Sequence, residues 1–246
     1  MTIITSKTNN LIKKTKKLLQ KKYRKTSYLI EGWHLLEEAR ANKAGILRVF
    51  VTEDFLERVK EERHISVVSY DVLKELTESQ TPQGVVAEIA LDKQDWSIGA
   101  KKRFLILEDV QDPGNVGTMI RTADAAGFDA VIVSDKSADI YSQKTLRSMQ
   151  GSHFHLPIYR LAMSDILDDL KANHIPLLVS TLSKDSIDYR QLKPLSSFAL
   201  VMGNEGKGIS DEMAKRADYL VHIDMLGQAE SLNVAVAAGI LIFSLI

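Results

Sequence analysis

Residue types with chemical potential crowd into the last fifty positions, from Ser197 to Ile246. Two apolar runs with strand character, FALVM at 198–202 and YLVHI at 219–223, each end in a polar loop that carries glycine and leads into helical periodicity. This is how a parallel sheet presents a small-molecule site, because ligands bind beyond the carboxyl ends of the strands, where glycine lets backbone amides come close. One wall of such a site would comprise Gly203, Asn204, Glu205 and Gly206, and the other the stretch from Met225 to Asn233. Spacing narrows the ligand. A phosphate loop is excluded, since Lys207 directly follows Gly206 and no glycine stands five residues before it. A dinucleotide fingerprint is excluded too, since Asp211 occupies the third glycine position after Gly206 and Gly208. Ser231 reads as the N-cap of a final helix, SLNVAVAAGILIF, that is apolar on nearly every face except at Asn233. An amide in the first turn of a buried helix needs partners, whether structural or functional.

Around these loops the chain divides in two. The break falls in DKQDWSIGAKKR, which is mostly polar and without periodicity, so the expected domains are 1–95 and 104–246 with 96–103 as linker. The first domain alternates helix and strand: a helix at 33–41, a strand LRVFVT, a helix after Asp54, a strand ISVVS, a helix DVLKELTES and a strand GVVAEIA. The second opens with strand FLILE and the turn around Pro113 and Gly114. Asn115 then stands where an N-cap belongs, before a helix from about Val116 to Ala126 closed by Gly127. Strand DAVIVS, a helix SQKTLRSMQG, a strand FHLPIYR, helix MSDILDDLKANH and strand PLLVST complete the run to the two C-terminal units. Repeated βα alternation is the signature of a parallel α/β sheet with helices on both faces.

Composition sets the outer limits. The chain has 246 residues, no cysteine, and 32 basic against 32 acidic side chains, so disulfides and thiolate metal sites are excluded. No stretch is long and apolar enough to cross a bilayer and none reads as a signal peptide, so a cytoplasmic protein without membrane contact is expected. Zero net charge hides an uneven distribution: the first thirty residues hold nine basic side chains and no acidic one. The pattern from Leu11 to Leu19 is a basic amphipathic one, a solvated face, a contact for RNA phosphates or a membrane-surface helix, the last disfavoured by a narrow apolar face without an aromatic anchor. His153 and His155 flank Phe154 on what reads as a strand, but no third ligand lies at suitable spacing, so no metal is expected.

The segments LVMGNEGKGIS and IDMLGQAESLNVAVAAGI resemble the two C-terminal motifs of the SpoU, or TrmH, family of RNA ribose 2′-O-methyltransferases of the SPOUT class. The family's earlier NxGxxxR motif is matched in EDVQDPGNVGTMIRTADAAG by Asn115, Gly117 and Arg121. The resemblance spans about 140 residues in the right order, and the first domain is similar to the L30e-like RNA-binding domain that many members carry. It implies a C-terminal domain with a deep trefoil knot, S-adenosylmethionine as cofactor, and a homodimer in which the arginine of one subunit approaches the cofactor of the other. It further implies that Thr181, Leu182, Gly203, Asn204, Gly206, Ile223, Met225 and Leu232 wrap the cofactor, with backbone groups of Gly203, Ile223 and Leu232 reading adenine and ribose. Arg121 carries the catalytic role by the same analogy. Asn115 and Glu205 order the loops around it, and Ser231 and Asn233 stand between cofactor and substrate. The N-terminal domain favours large-subunit ribosomal RNA as substrate over transfer RNA. A binding protein of the same fold without catalysis is the rival from another class.

Overall fold

The computed structural model describes residues 2–92 and 95–246, and these fall into two compact units. The first comprises the N-terminal residues together with Asp139–Phe154; the second holds the remainder.

The first unit is a four-stranded sheet. It consists of β1 (Ser27–Glu31), β2 (Ile46–Val51), β3 (Ile65–Val67) and β4 (Val85–Ala90), in spatial order β1-β4-β2-β3. Strand β4 runs antiparallel to both β1 and β2, and β2 pairs with β3 in parallel. The Lys-rich N-terminal segment forms helix α1 (Asn10–Lys16), capped by the Asn9 side chain, and two 3₁₀ turns at Lys17–Leu19 and Lys21–Tyr23. Ile12 is fully buried against Leu29, Phe50 and Leu73, with Leu11, Leu18 and Leu19 packed at the edge of that cluster. The lysines are thereby turned outward. Helix α2 (Trp33–Ala41) lies where the periodicity places it, whereas 53–59 is a 3₁₀ helix and α3 stops at Tyr70–Lys74. Strand β1 is a segment the pattern did not announce, because a continuous apolar stretch after a lysine run has no period of its own.

Helix α5 (Gln143–Met149) packs in this first unit although it follows the start of the second in sequence. The Gln143 side chain is buried, accepting from Thr77 Oγ1 (3.0 Å) and Glu78 N (2.6 Å) and donating to Leu76 O (3.3 Å). Buried Arg24 pairs with Asp139 and also donates to the Tyr141 carbonyl. The strand expected across His153–Phe154–His155 is a correction: Ser152–Phe154 is a 3₁₀ turn, entered through left-handed Gln150 (φ 52°) and Gly151 (φ 96°). His153 bonds Tyr28 Oη at 3.0 Å, and His155 belongs to the other unit, so the two imidazoles share no strand face.

The second unit is a seven-stranded, wholly parallel sheet in the order β7-β6-β5-β10-β8-β11-β9, the α/β architecture expected. Its strands are β5 (Arg103–Leu107), β6 (Ala130–Val133), β7 (Ile158–Arg160), β8 (Leu177–Ser180), β9 (Ile187–Asp188), β10 (Phe198–Met202) and β11 (Tyr219–His222). Central β5, β6 and β10 are buried or nearly so along their length, as strands covered on both faces must be. The helices are α4 (Pro113–Ala125), α6 (Met163–Ala172), α7 (Asp211–Arg216) and α8 (Val234–Ser244). Within 96–103, the stretch expected as a linker, Ile98 is buried and Trp96 stacks edge-on against Phe104 and Tyr159, donating to Asp169 at 2.6 Å. Among the described residues, no helix is long and apolar enough to cross a membrane and no group of three or more His, Cys, Asp or Glu could hold a metal ion.

Candidate functional site

The carboxyl ends of β8, β10 and β11 lie side by side, since β8 separates the other two in the sheet. The loops leaving these three ends enclose a cleft of about 420 Å³, in the size range of cofactor sites. Thr181 and Leu182 come from the first loop. Gly203, Asn204 and Gly206 come from the second, and Ile223, Met225 and Leu232 from the third. Glu205 and Ser231 line it as well, so ten of the thirteen residues singled out in the sequence meet at one place.

The β10 loop is built from short-range bonds. Asn204 and Gly208 exchange two backbone hydrogen bonds of 2.8 and 2.9 Å, closing the loop on itself. The Asn204 side chain accepts from Gly206 N (3.0 Å) and Lys207 N (2.9 Å) and donates to Asp109 O (2.8 Å). Asn204 therefore shapes the wall, its polar atoms being engaged within the protein. Gly203 sits under this loop so closely that a Cβ there would lie 2.5 Å from the Gly208 carbonyl carbon. Beyond the loop, Ser210 caps α7 and is tied to β5's end, donating Oγ–H to Glu108 at 2.7 Å.

A second layer of polar groups joins the cleft to α4. The Glu205 carboxylate accepts from Gln111 N (3.0 Å), Asp112 N (2.9 Å) and Asn115 Nδ2 (3.1 Å). Asn115 Oδ1 in turn accepts from Asn233 Nδ2 (3.1 Å), whose own Oδ1 accepts from Ala235 N (2.9 Å) and Val236 N (3.3 Å). Two capping expectations are corrected here. Asp112, with Pro113 at the first helical position, caps α4, and Asn233 rather than Ser231 caps α8. Displacing the caps frees Asn115 to bridge two loops. It also leaves Ser231 and Leu232 ahead of the helix, where they line the cleft.

Desolvation works against ionisation of Glu205, but the Gln111 and Asp112 N–H groups and the Asn115 amide outweigh it and hold its carboxyl below the usual glutamate range. A depressed folded pKa means a contribution that is present above the unfolded value, ~4.3, and lost as pH falls through the folded one. The stability gap between wild type and Glu205→Gln is therefore expected to be constant near neutrality and to close on acidification below about pH 4. Thermal unfolding followed across pH checks this. A gap that widened in acid would contradict it.

The third wall is fixed by a network not foreseen from sequence. His222 lines the cleft at the end of β11. Its Nε2 lies 3.0 Å from the Asp224 carboxylate, and its Nδ1 lies 2.9 Å from the Ser186 hydroxyl. Arg190 reaches Asp224 at 3.0 Å and grips Asp188, whose carboxyl it holds well below the ordinary range. The segment after Thr181 is thus tied to the segment carrying Ile223 and Met225. His222→Ala is expected to weaken cofactor binding several-fold with turnover at saturation unchanged. Calorimetry with S-adenosylmethionine and steady-state kinetics read the two effects separately.

Arg121 is not part of the cleft. It lies six residues beyond Asn115 on α4, about 120° round the helix. It is exposed, and among the described residues its side chain makes no hydrogen bond or ion pair. Thr118, Arg121 and Ala125 form an exposed stripe on α4. Helix α8, which packs on α4, leaves Val236 and Phe243 more than half exposed, at 53% and 54%.

Comparison with known proteins gives the family. Residues 9–87 match the MRM3-like substrate binding domain, and residues 102–243 match the SpoU rRNA Methylase family. The chain is 41% identical to the 23S rRNA (guanosine(2553)-2′-O)-methyltransferase RlmP of Bacillus subtilis, over 98% of both chains. A crystal structure of an AdoMet-bound rRNA methyltransferase from Sinorhizobium meliloti superposes with a TM-score of 0.88 at 33% identity, covering 99% of this chain and 96% of that one. The SpoU methyltransferase AviRb of Streptomyces viridochromogenes, in complex with AdoMet, gives 0.86 at 27% identity over 96% of each. With the three-walled cleft, the Glu205–Asn115–Asn233 bridge and a match over more than half its length, this chain belongs to the SpoU rRNA methylase family.

Proposed function

We propose that this protein is a homodimeric enzyme that methylates a ribose 2′-hydroxyl of 23S ribosomal RNA, using S-adenosylmethionine bound in the three-walled cleft. The nucleotide is the guanosine equivalent to the one named for the Bacillus relative, and the enzyme is cytoplasmic, in keeping with a ribosomal RNA substrate. The observation that carries this reading is that the eight residues proposed for the cofactor converge on one cleft while Arg121 stays outside it. The cleft suits the group: Leu182, Met202, Ile223, Met225 and Leu232 offer apolar surface, and Gly203, Gly206 and Gly208 line it with backbone and no side chain. Such a surround fits adenine, which carries donors and acceptors but no charge.

When bound, the cofactor supplies an electrophilic methyl on a cationic sulfur, so the protein's task is placement and electrostatics. The Glu205–Asn115–Asn233 bridge holds the start of α4 against both loops and so fixes where the RNA can approach. Arg121 does not act as a base, because a guanidinium keeps its proton far above neutral pH. It holds a phosphate of the substrate and stabilises negative charge developing on the ribose oxygen. Since Arg121 is exposed and does not line its own cleft, it serves the cleft of a second copy. The exposed Val236 and Phe243 of α8, the helix that packs on α4, belong to the surface on which that copy would sit.

Mapping ribose methylation over total RNA from cells with and without the gene tests the substrate. Loss of one 23S position supports the proposal. Loss of a transfer RNA position would move the substrate to that class, and unchanged RNA would leave a binding protein of the same fold.

A further inference from the structure

Of the nine basic side chains in the first thirty residues, three are used by the fold. Lys7 and Lys16 bind Glu75, and Arg24 is buried on Asp139. The other six, Lys13, Lys14, Lys17, Lys21, Lys22 and Lys25, make no ion pair among the described residues. No acidic residue lies among them in sequence to offset their charge. Folding is served by the other face of this segment, where Ile12 and Thr15 are buried.

Amid these lysines stands one aromatic ring. Tyr23 is 41% exposed and takes no part in the neighbouring apolar cluster. It is nevertheless held in place: it ends a 3₁₀ turn in which Tyr23 N donates to Gln20 O (3.0 Å) and Arg24 N to Lys21 O (3.1 Å), and the next side chain is the buried Arg24. Lys22 and Lys17 place their ammonium groups 4.9 and 5.6 Å from the ring centre. An exposed aromatic ring on a fixed turn, ringed by uncompensated cations, combines the two elements that bind single-stranded nucleic acid without reading its sequence.

We propose that Tyr23 is a stacking platform for an unpaired base of the RNA substrate, with the surrounding lysines on the flanking phosphates. Stacking of a base outweighs an exposed cation–π contact, so an arriving base displaces a lysine from the ring and leaves that lysine free for the phosphate beside it. A base within an A-form duplex shows no free face, so the ligand is a loop, bulge or strand end. This inference rests on the RNA-substrate reading above and adds where, and in what form, the RNA is held.

The test uses the full chain and two labelled RNAs, a single strand of roughly ten nucleotides and a blunt duplex, followed by fluorescence anisotropy. Tyr23→Ala is expected to weaken single-strand binding at least about 10-fold and duplex binding little, while Tyr23→Phe, which keeps the ring, binds as wild type. The double variant Lys21→Ala/Lys22→Ala is expected to lower the salt slope by about 1.4 for a single strand. All variants should keep wild-type affinity for S-adenosylmethionine, which separates a lost contact from a lost fold. Wild-type binding by Tyr23→Ala would overturn the proposal, as would equal losses for strand and duplex. So would Tyr23-dependent binding to vesicles of anionic lipid at equal strength. Failure of the wild-type chain to bind either RNA would instead sink the RNA-substrate reading itself.

Discussion

Arg121→Ala is expected to reduce methyl transfer by at least roughly 10²–10³-fold, the usual effect of removing one electrostatic donor from a reacting centre. Cofactor affinity should be unchanged, because Arg121 does not line the cleft of its own chain. The fold should be unaffected as well, since the side chain is exposed and makes no bond that the helix needs. Arg121→Lys should recover only part of the activity, because an ammonium keeps the charge but loses the planar fork that fits a phosphate. Single-turnover kinetics with calorimetric cofactor titration check all three points. Substantial turnover in Arg121→Ala would remove the arginine from the chemistry.

Gly203→Ala is expected to strike the opposite function. The added Cβ would stand 2.5 and 2.6 Å from the carbonyl carbon and oxygen of Gly208, both backbone atoms of the loop that walls the cleft. That loop is closed by the reciprocal Asn204–Gly208 bonds and anchored to Asp109, so no flexible side chain can yield. Overpacking of this kind costs about 1–3 kcal/mol, or roughly 5- to 150-fold in affinity for whatever the loop encloses. The control lies three residues away. A Cβ at Gly206 would come no closer than 3.8 Å to another group, the Asn204 side-chain oxygen. Gly206→Ala should therefore leave the loop's own packing intact, so that any affinity it loses is lost at the cofactor surface and not inside the loop. Equal affinity in the two variants would show that loop closure is not what makes the site.

Much of this arrangement was legible from residues alone, for identifiable reasons. β10 and β11 announce themselves as apolar runs ended by glycine loops, and the parallel sheet then dictates that their carboxyl ends form the site. The caps were harder. Asp112 and Asn115 are both capping residue types; Pro113, fitted to the first helical position, is the local signal favouring Asp112. At α8, Ser231 and Asn233 compete in the same way, and tertiary demand decides, since Asn233 also reaches Asn115. What the sequence conceals is spatial. The His222–Asp224–Arg190–Asp188 network joins segments more than thirty residues apart, and two-residue β9 is too short to show a period. Likewise nothing local shows that Gln143 belongs with residues 76–78, because its partners are two hydrogen-bonding groups and a carbonyl brought up by the fold.

The central claim is that a glycine-built cleft in one copy works with Arg121 of another. Heterodimers of Arg121→Ala and Gly203→Val chains, each carrying a different affinity tag and purified through both, test it directly. Neither parent should turn over RNA. In the mixed particle one of the two sites combines an intact cleft with an intact arginine, so the account predicts roughly half the wild-type rate per dimer. A mixed particle no more active than its parents would place cleft and arginine in the same chain and contradict the account.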